Sequence, residues 1–269
     1  SIFKGRIASI VPGIGAAFVD IGLPKNGFLY VSDIVEPSDD EAILEDEPHP
    51  KPHHRHRSRI EELVKLNQEI LVQVTKESLG TKGARLTAHV SLPGRYLVWM
   101  ANDPRVGISK RIDDPKERAR LRDILKSLRG ASEAGIILRT AGAGKGEKEF
   151  ERDVRYLSEL WQQIKRTERR VKAPACVYQE YDLAQRVIRD SFTEDVHRVM
   201  LDSKPEIKRL ARFLRTLMPG VRVRLDYYQG ADPLFEREGL EEGILALFDK
   251  RVELPSGGSI VVEPTEGLV

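Results

Sequence analysis

Ile2-Phe3-Lys4-Gly5-Arg6-Ile7-Ala8-Ser9-Ile10-Val11 opens the chain with alternating apolar and polar side chains, the period of a half-buried strand. Gly13-Ile14-Gly15 supplies a turn, and Ala16-Ala17-Phe18-Val19-Asp20-Ile21-Gly22 reads as a second strand closed by another turn. Asn26-Gly27 is the dipeptide that suits a tight hairpin, with Phe28-Leu29-Tyr30-Val31 as the returning strand. Further out, Ile70-Leu71-Val72-Gln73-Val74 and Leu86-Thr87-Ala88-His89-Val90 complete five short strands. Five short antiparallel strands with glycine turns predict a small barrel of the OB type.

Residues 36–59 interrupt that barrel. Asp39, Asp40, Glu41, Glu45, Asp46 and Glu47 form an acidic block, and a basic, proline-containing block runs from His49 to Arg59. Four of the six histidines lie there, but their spacing is irregular and no carboxylate or Cys is interleaved among them. The stretch is therefore expected to be a charged, His-rich loop rather than a metal centre.

Beyond residue 90 the pattern changes. Arg95-Tyr96-Leu97-Val98-Trp99-Met100 is expected as a strand, the segment after Pro115 as a helix, and Gly135-Ile136-Ile137-Leu138-Arg139 as a short buried strand. Phe150, Val154, Leu157, Trp161 and Ile164 recur at four- and three-residue steps, the stripe of an amphipathic helix. The last third alternates helix (183–188), strand (196–201), helix (Ile207 to Leu217), strand (221–228) and helix (about 236–249). Pro255-Ser256-Gly257-Gly258 then joins two short strands. The fold class is α+β and multidomain: a barrel followed by mixed helix and sheet.

Composition narrows the function. The 269 residues hold 44 Lys and Arg against 42 Asp and Glu, so charge acts locally and not through a polybasic or polyacidic tail. Cys176 is the single cysteine, which excludes a disulfide framework or a multi-Cys zinc site and fits a reducing cytosol. No apolar run approaches the ~18 residues of a membrane span, and a cytoplasmic protein is expected. The chain starts inside a strand pattern without Met and stops at Leu268-Val269, so a piece of a longer protein is expected.

Phosphate binding is the first chemistry to weigh. Ala141-Gly142-Ala143-Gly144-Lys145-Gly146 fails the Walker template, which needs Gly where Arg139 stands and Ser or Thr where Gly146 stands. What remains is an Arg-Thr pair at a strand end and a flexible turn with exposed amides, which together could hold one phosphate; an ordinary surface turn is the competing reading. Nucleic-acid binding is the second. Phe18 and Phe28 fall on adjacent strands, where aromatics stack on bases, with Lys4, Arg6, Lys25, Lys76 and Lys82 around them; alternation instead favours core placement for one of the two rings. Hydrolysis has thin support, since Asp113-Asp114 and Glu241-Glu242 are sequence neighbours and His89 and His197 lie on apolar strands. No catalytic residue is assigned.

Several stretches together resemble the RNase E/G family of bacterial endoribonucleases. They are Gly5-Arg6-Ile7, Ala16 through Gly22, Asn26-Gly27-Phe28-Leu29, and Lys76-Glu77-Ser78-Leu79-Gly80-Thr81-Lys82-Gly83-Ala84-Arg85-Leu86-Thr87. Ser91-Leu92-Pro93-Gly94-Arg95-Tyr96-Leu97-Val98, Gly107-Ile108-Ser109-Lys110-Arg111-Ile112, Arg139-Thr140-Ala141-Gly142 and Leu254 through Val262 continue the set in the family's order.

The resemblance implies an S1 barrel over 1–88, a 5′-sensor subdomain over 89–184, part of an RNase H-like subdomain over 185–250, and the start of a DNase I-like catalytic subdomain over 251–269. It implies that Arg139, Thr140, Gly94 and Val98 hold a 5′-monophosphate, Val98 through its backbone, and that Phe18, Phe28, Lys76, Lys82, Lys110 and Arg111 contact RNA. The parent enzyme would be a Mg²⁺-dependent, homo-oligomeric endoribonuclease of RNA processing, mRNA decay and rRNA maturation, acting on single-stranded RNA. The family's metal-binding aspartates would follow Thr265-Glu266 beyond Val269, and the zinc-binding Cys motif of its subunit linkage is absent from these residues. The fragment is therefore expected not to cut RNA. Two rivals stand beside this reading: a non-catalytic S1-type RNA-binding protein, and a nucleotide-binding regulator using the 139–146 turn.

Overall fold

The computed structural model describes residues 1–35, 59–80, 82–129, 134–192, 195–218 and 223–263; the charged stretch at 36–59 lies, Arg59 excepted, outside the described residues. Two compact units divide the chain, Ser1–Asp190 and Ser191–Val269.

The first unit begins with the five expected strands: β1 (Ile2–Val11), β2 (Ala16–Asp20), β3 (Gly27–Tyr30), β4 (Glu69–Lys76) and β5 (Arg85–Thr87). Their order is β1-β2-β3-β5-β4, and β4 returns to pair with β1, closing the barrel; β3 and β5 pair in parallel, against the all-antiparallel expectation. Closure leaves an interior filled by side chains of alternate residues. Ile7, Ala17, Val19, Leu29, Val72 and Leu86 are fully buried there, with Ile60 of the short helix α1 (Ile60–Leu63) as a plug.

Asn26-Gly27 does not form the expected tight hairpin. The link runs over residues 21–26 with Gly22 at φ +80°, while Gly27 is already in β3, where any Cβ would strike Leu86. Gly83 is glycine for a similar reason, since a Cβ would run into the carbonyl oxygen of Asn26.

A second sheet follows: β6 (Ser91–Pro93), β7 (Leu97–Met100), β8 (Val106–Ile108) and β9 (Gly135–Leu138), in the order β6-β7-β9-β8. Helices α2 (Pro115–Arg129) and α3 (Glu147–Arg170) cover it. The stripe foreseen on α3 is the observed one: Phe150, Val154, Leu157 and Ile164 are buried and Trp161 packs against them. β7 begins two residues later than expected, because the chain turns over Gly94 to Leu97, closed by the Gly94 amide on the Leu97 carbonyl at 2.8 Å. β10 (Ala175–Tyr178) then adds antiparallel to β1, pairing Ile2 with Tyr178, and α4 (Leu183–Ser191) ends at the boundary between the units.

In the second unit, β11 (Arg198–Leu201) and β12 (Arg224–Tyr227) pair in parallel through α5 (Lys204–Leu217), whose Leu210, Phe213 and Leu214 are buried. The single helix expected near 236–249 is two short ones, α6 (Leu234–Arg237) and α7 (Glu241–Ala246). Gly239, at φ +68°, ends the first of them as a left-handed cap. β13 (Arg251–Glu253) and β14 (Ser259–Val261) form the hairpin turned by Pro255-Ser256-Gly257-Gly258. No helix of the described residues is long and apolar enough to cross a membrane.

Candidate nucleic-acid interface

The barrel's register decides which side chains face out. Ser9 pairs with Phe18, Phe18 with Phe28, Phe28 with Arg85, and Arg85 with Lys76, so these five form one row across four neighbouring strands and back onto β4. Their neighbours Ala17, Val19, Leu29 and Leu86 point inward, and successive strand residues must face opposite sides. Both rings are therefore on the outer face and half-buried, and neither is core. The expectation that one of them fills the barrel fails because they are direct cross-strand partners. Their centroids lie 5.8 Å apart at 71°, and Phe28 stacks on Tyr30 at 6.3 Å and 18°.

Tyr30 is 38% exposed and extends the row by one ring. Its place was readable in the sequence, two residues after Phe28 on the same strand; that of Arg85, paired to Asp33 at 3.1 Å, depends on register alone. Lys76 ends this row and is exposed, Lys82 is exposed in the loop after β4 opposite Leu79, and Lys25 donates to the Gly80 carbonyl, tying that loop to the 21–26 link.

Lys4 and Arg6 do not join the aromatic row. Lys4 Nζ sits 2.9 Å from Glu69 and donates to the carbonyls of Glu168 and Val171; Arg6 reaches Glu69 and the Ala173 carbonyl. The Lys4 hydrogen bond first, then one from the Ala173 amide at 3.3 Å and the charges of Lys4 and Arg6, hold the Glu69 carboxyl below its usual range. Both cations fasten the end of α3 and its exit to the barrel.

A second cluster forms where β9 ends. Arg139 is half-buried; its Nη1 donates to the Gly94 carbonyl at 2.6 Å and its Nη2 lies 2.7 Å from Asp190. Thr140 is exposed, its hydroxyl 3.1 Å from that of Ser109, and Lys110 and Arg111 occupy the exposed turn directly after Ser109. Val98 lies on β7, paired with Pro93 on one side and Ile137 on the other. The structure thus brings together Gly94, Arg139, Thr140 and the Lys110-Arg111 turn, with Val98 one strand position away from Gly94.

Asp153 supports this cluster from below. Only 6% exposed, its carboxylate accepts the amides of Arg95 (3.2 Å), Tyr96 (2.8 Å) and Leu97 (2.9 Å). Burial pushes its pKa up against those three hydrogen bonds and the nearby Arg139 charge. A Cβ on Gly94 would sit 2.5 Å from its Oδ2, so glycine is required there. The sequence carried a signal for Asp153: a carboxylate on the apolar stripe, three residues after Phe150 and four before Leu157.

The 142–146 turn is not the flexible amide-lined loop expected. Its five amides are committed: Gly142 to Arg139, Ala143 to Thr140 and Lys145 to Gly142 carbonyls, Gly144 to Glu117 and Gly146 to Glu149 carboxylates. Arg120 grips Glu117 with two hydrogen bonds of 2.6 and 2.7 Å, and these with the Gly144 amide hold the Glu117 pKa down at about 2. With these amides committed, the turn offers none of them to a phosphate, which removes the support for a nucleotide loop.

Among the described residues no group of three or more His, Cys, Asp or Glu is placed to hold a metal ion. These residues do not fit a magnesium or zinc site.

Comparison with known proteins matches these two regions separately. The "S1 RNA binding domain" family matches residues 1–88, and the "Ribonuclease E/G family" matches residues 91–269. Ribonuclease G of Haemophilus influenzae is 39% identical over 268 residues, and that of Escherichia coli K12 is 37% identical; the match covers 100% of this chain and 53% of each relative. Ribonuclease E of Haemophilus influenzae is 38% identical over 270 residues, with 28% of its length covered. The chain spans about half the length of the Ribonuclease G relatives it matches. With an S1 barrel at its start and the family match over the rest, the chain belongs to the Ribonuclease E/G family.

Proposed function

We propose that this chain is the RNA-gripping, 5′-end-reading part of a single-strand-specific endoribonuclease of RNA processing and decay. Single-stranded RNA lays its bases on Phe18, Phe28 and Tyr30 while Lys76 and Lys82 meet its phosphates. The 5′-monophosphate rests on Arg139 and Thr140, beside Gly94 and Val98, with Lys110 and Arg111 at the rim. On this reading residues 89–184 form the 5′-sensor subdomain, 185–250 the RNase H-like part and 251–269 the start of the DNase I-like part. The parent is a cytoplasmic homo-oligomer whose hydrolysis uses Mg²⁺ held outside these residues, as would any zinc linking its subunits. The chain alone binds without cutting.

One observation carries the reading: Arg139, anchored through Gly94, stands next to an exposed hydroxyl at the surface end of β9. A guanidinium fork and a hydroxyl are the groups that take a phosphate monoester. The test compares RNA carrying a 5′-monophosphate with the same RNA carrying a 5′-hydroxyl. Hydrogen bonds to charged groups are worth about 1.5–3 kcal/mol, so Arg139→Ala should erase most of a roughly tenfold or greater preference. Equal affinity for both ends in the unaltered chain would leave Arg139 a structural residue.

A further inference from the structure

Asp190 sits on the guanidinium that the phosphate needs. Its Oδ1 is 2.7 Å from Arg139 Nη2. The same carboxylate is held a second time, because Arg189 donates from Nε to Oδ1 and from Nη2 to Oδ2, each at 2.9 Å. Arg189 is only 6% exposed and is itself fixed by Glu180 at 3.7 Å and by the Pro93 carbonyl at 3.5 Å. Arg139 is the more accessible of the two cations, with 26% of its side chain exposed.

To a guanidinium, a carboxylate and a phosphate monoester look alike: two oxygens and negative charge, met by parallel N–H groups. Two anions a few ångströms apart disfavour each other, so Asp190 and a phosphate compete for Arg139. We propose that Asp190 is a specificity-determining residue that holds the place of the 5′-phosphate on Arg139 and yields it only to a doubly charged monoester; this rests on the 5′-end reading above. The exchange costs little because Asp190 keeps both hydrogen bonds to Arg189, so no buried charge is left unpaired. A 5′-hydroxyl brings no charge to the site. An internal phosphodiester carries one negative charge where a monoester carries about 1.5 to 2, and it displaces Asp190 poorly.

The experiment measures binding of 5′-monophosphate and 5′-hydroxyl RNA to the chain and to Asp190→Asn, with Asp190→Ser as a second variant should the first fail to fold. Removing the competing charge should tighten monophosphorylated RNA by roughly three- to tenfold. The vacated Arg139 then also accepts internal phosphodiesters, so 5′-hydroxyl RNA gains more and the ratio between the two ends falls. In Arg139→Ala/Asp190→Asn the gain should vanish, because it acts through Arg139. Unchanged or weaker monophosphate binding in the Asp190 variants, or a ratio that rises, overturns the proposal. If Arg139→Ala still erases a wild-type preference in that case, the 5′-end reading stands and only the role of Asp190 falls. If neither the unaltered chain nor the Asp190 variants distinguishes the two ends, both fall together.

Discussion

The barrel face and the Arg139 cluster lie in one unit and are built by opposite means. The aromatic row needs two adjacent strands, one cross-strand pair and the rule that alternate residues face out. The Arg139 cluster draws on residues 94, 109, 139–140, 153 and 190, joined by a buried carboxylate and a shared one. A surface that works by stacking can be assembled locally, because every base has a face and exact placement matters little. A surface meant for one charged group would have to fix its donors, and the donors of the Arg139 cluster are fixed by residues far along the chain.

Asp153→Ala should break this contrast most forcefully. It strands three amides beneath the Gly94 turn, and each buried unsatisfied group costs about 1–3 kcal/mol, so the loss should be about 3 kcal/mol or more. Assayed at a temperature where the variant stays folded, preference for the 5′-monophosphate should disappear while affinity for 5′-hydroxyl RNA holds. Parallel loss of both would mean that the two surfaces are not separable.

Phe28→Ala should do the reverse. Losing a ring that stacks on a base weakens single-stranded RNA binding by about 1–3 kcal/mol for both end groups alike. Because Phe28 is on the outer face, its melting temperature should fall far less than that of Phe150→Ala, a fully buried ring whose removal costs about 3–5 kcal/mol. Tyr30→Ala, at the exposed end of the row, should show the same pattern near the lower end of that binding range. A Phe28 variant that melts as early as the Phe150 variant would place the ring back in the core.

These contrasts follow how legible each region is in the sequence. Alternation from Ile2 to Val11 and glycines at the turns carry the barrel, and the stripe from Phe150 to Ile164 carries α3, because both are short-range periodicities. Register is not periodic in one strand, so the outward pairing of Phe18 with Phe28 emerged only from the fold. The same holds for Lys4 and Arg6, whose partners Glu69, Val171 and Ala173 are brought near by β4 and by the segment entering β10. Arg139 and Thr140 were legible as an Arg-Thr pair at a strand end, and the family resemblance tied that pair to a 5′-monophosphate. Their supports Asp190 and Ser109 carry no local signature, since an ion pair or hydroxyl contact depends on where the chain returns and not on neighbouring residues.

The smallest expected effect concerns the turn after Thr140. Glu117 accepts two hydrogen bonds from Arg120 and one from the Gly144 amide, which lower its pKa from 4.5 to about 2. A carboxyl whose folded pKa is depressed stabilises the native state above its unfolded pKa and loses that contribution as pH falls toward the folded value. The contribution should therefore be complete above about pH 4.5 and gone near pH 2. Glu117 lies near the surface, where solvent screening keeps such pairs below about 1 kcal/mol. Melting curves of the unaltered chain and Glu117→Gln should differ slightly at neutral pH and converge through that acid window, with RNA affinity for the aromatic row unchanged. A difference that stays constant down to pH 2 would mean that the turn is held by packing and not by the Glu117 charge, and the Arg139 cluster would then owe less to electrostatics than its geometry implies.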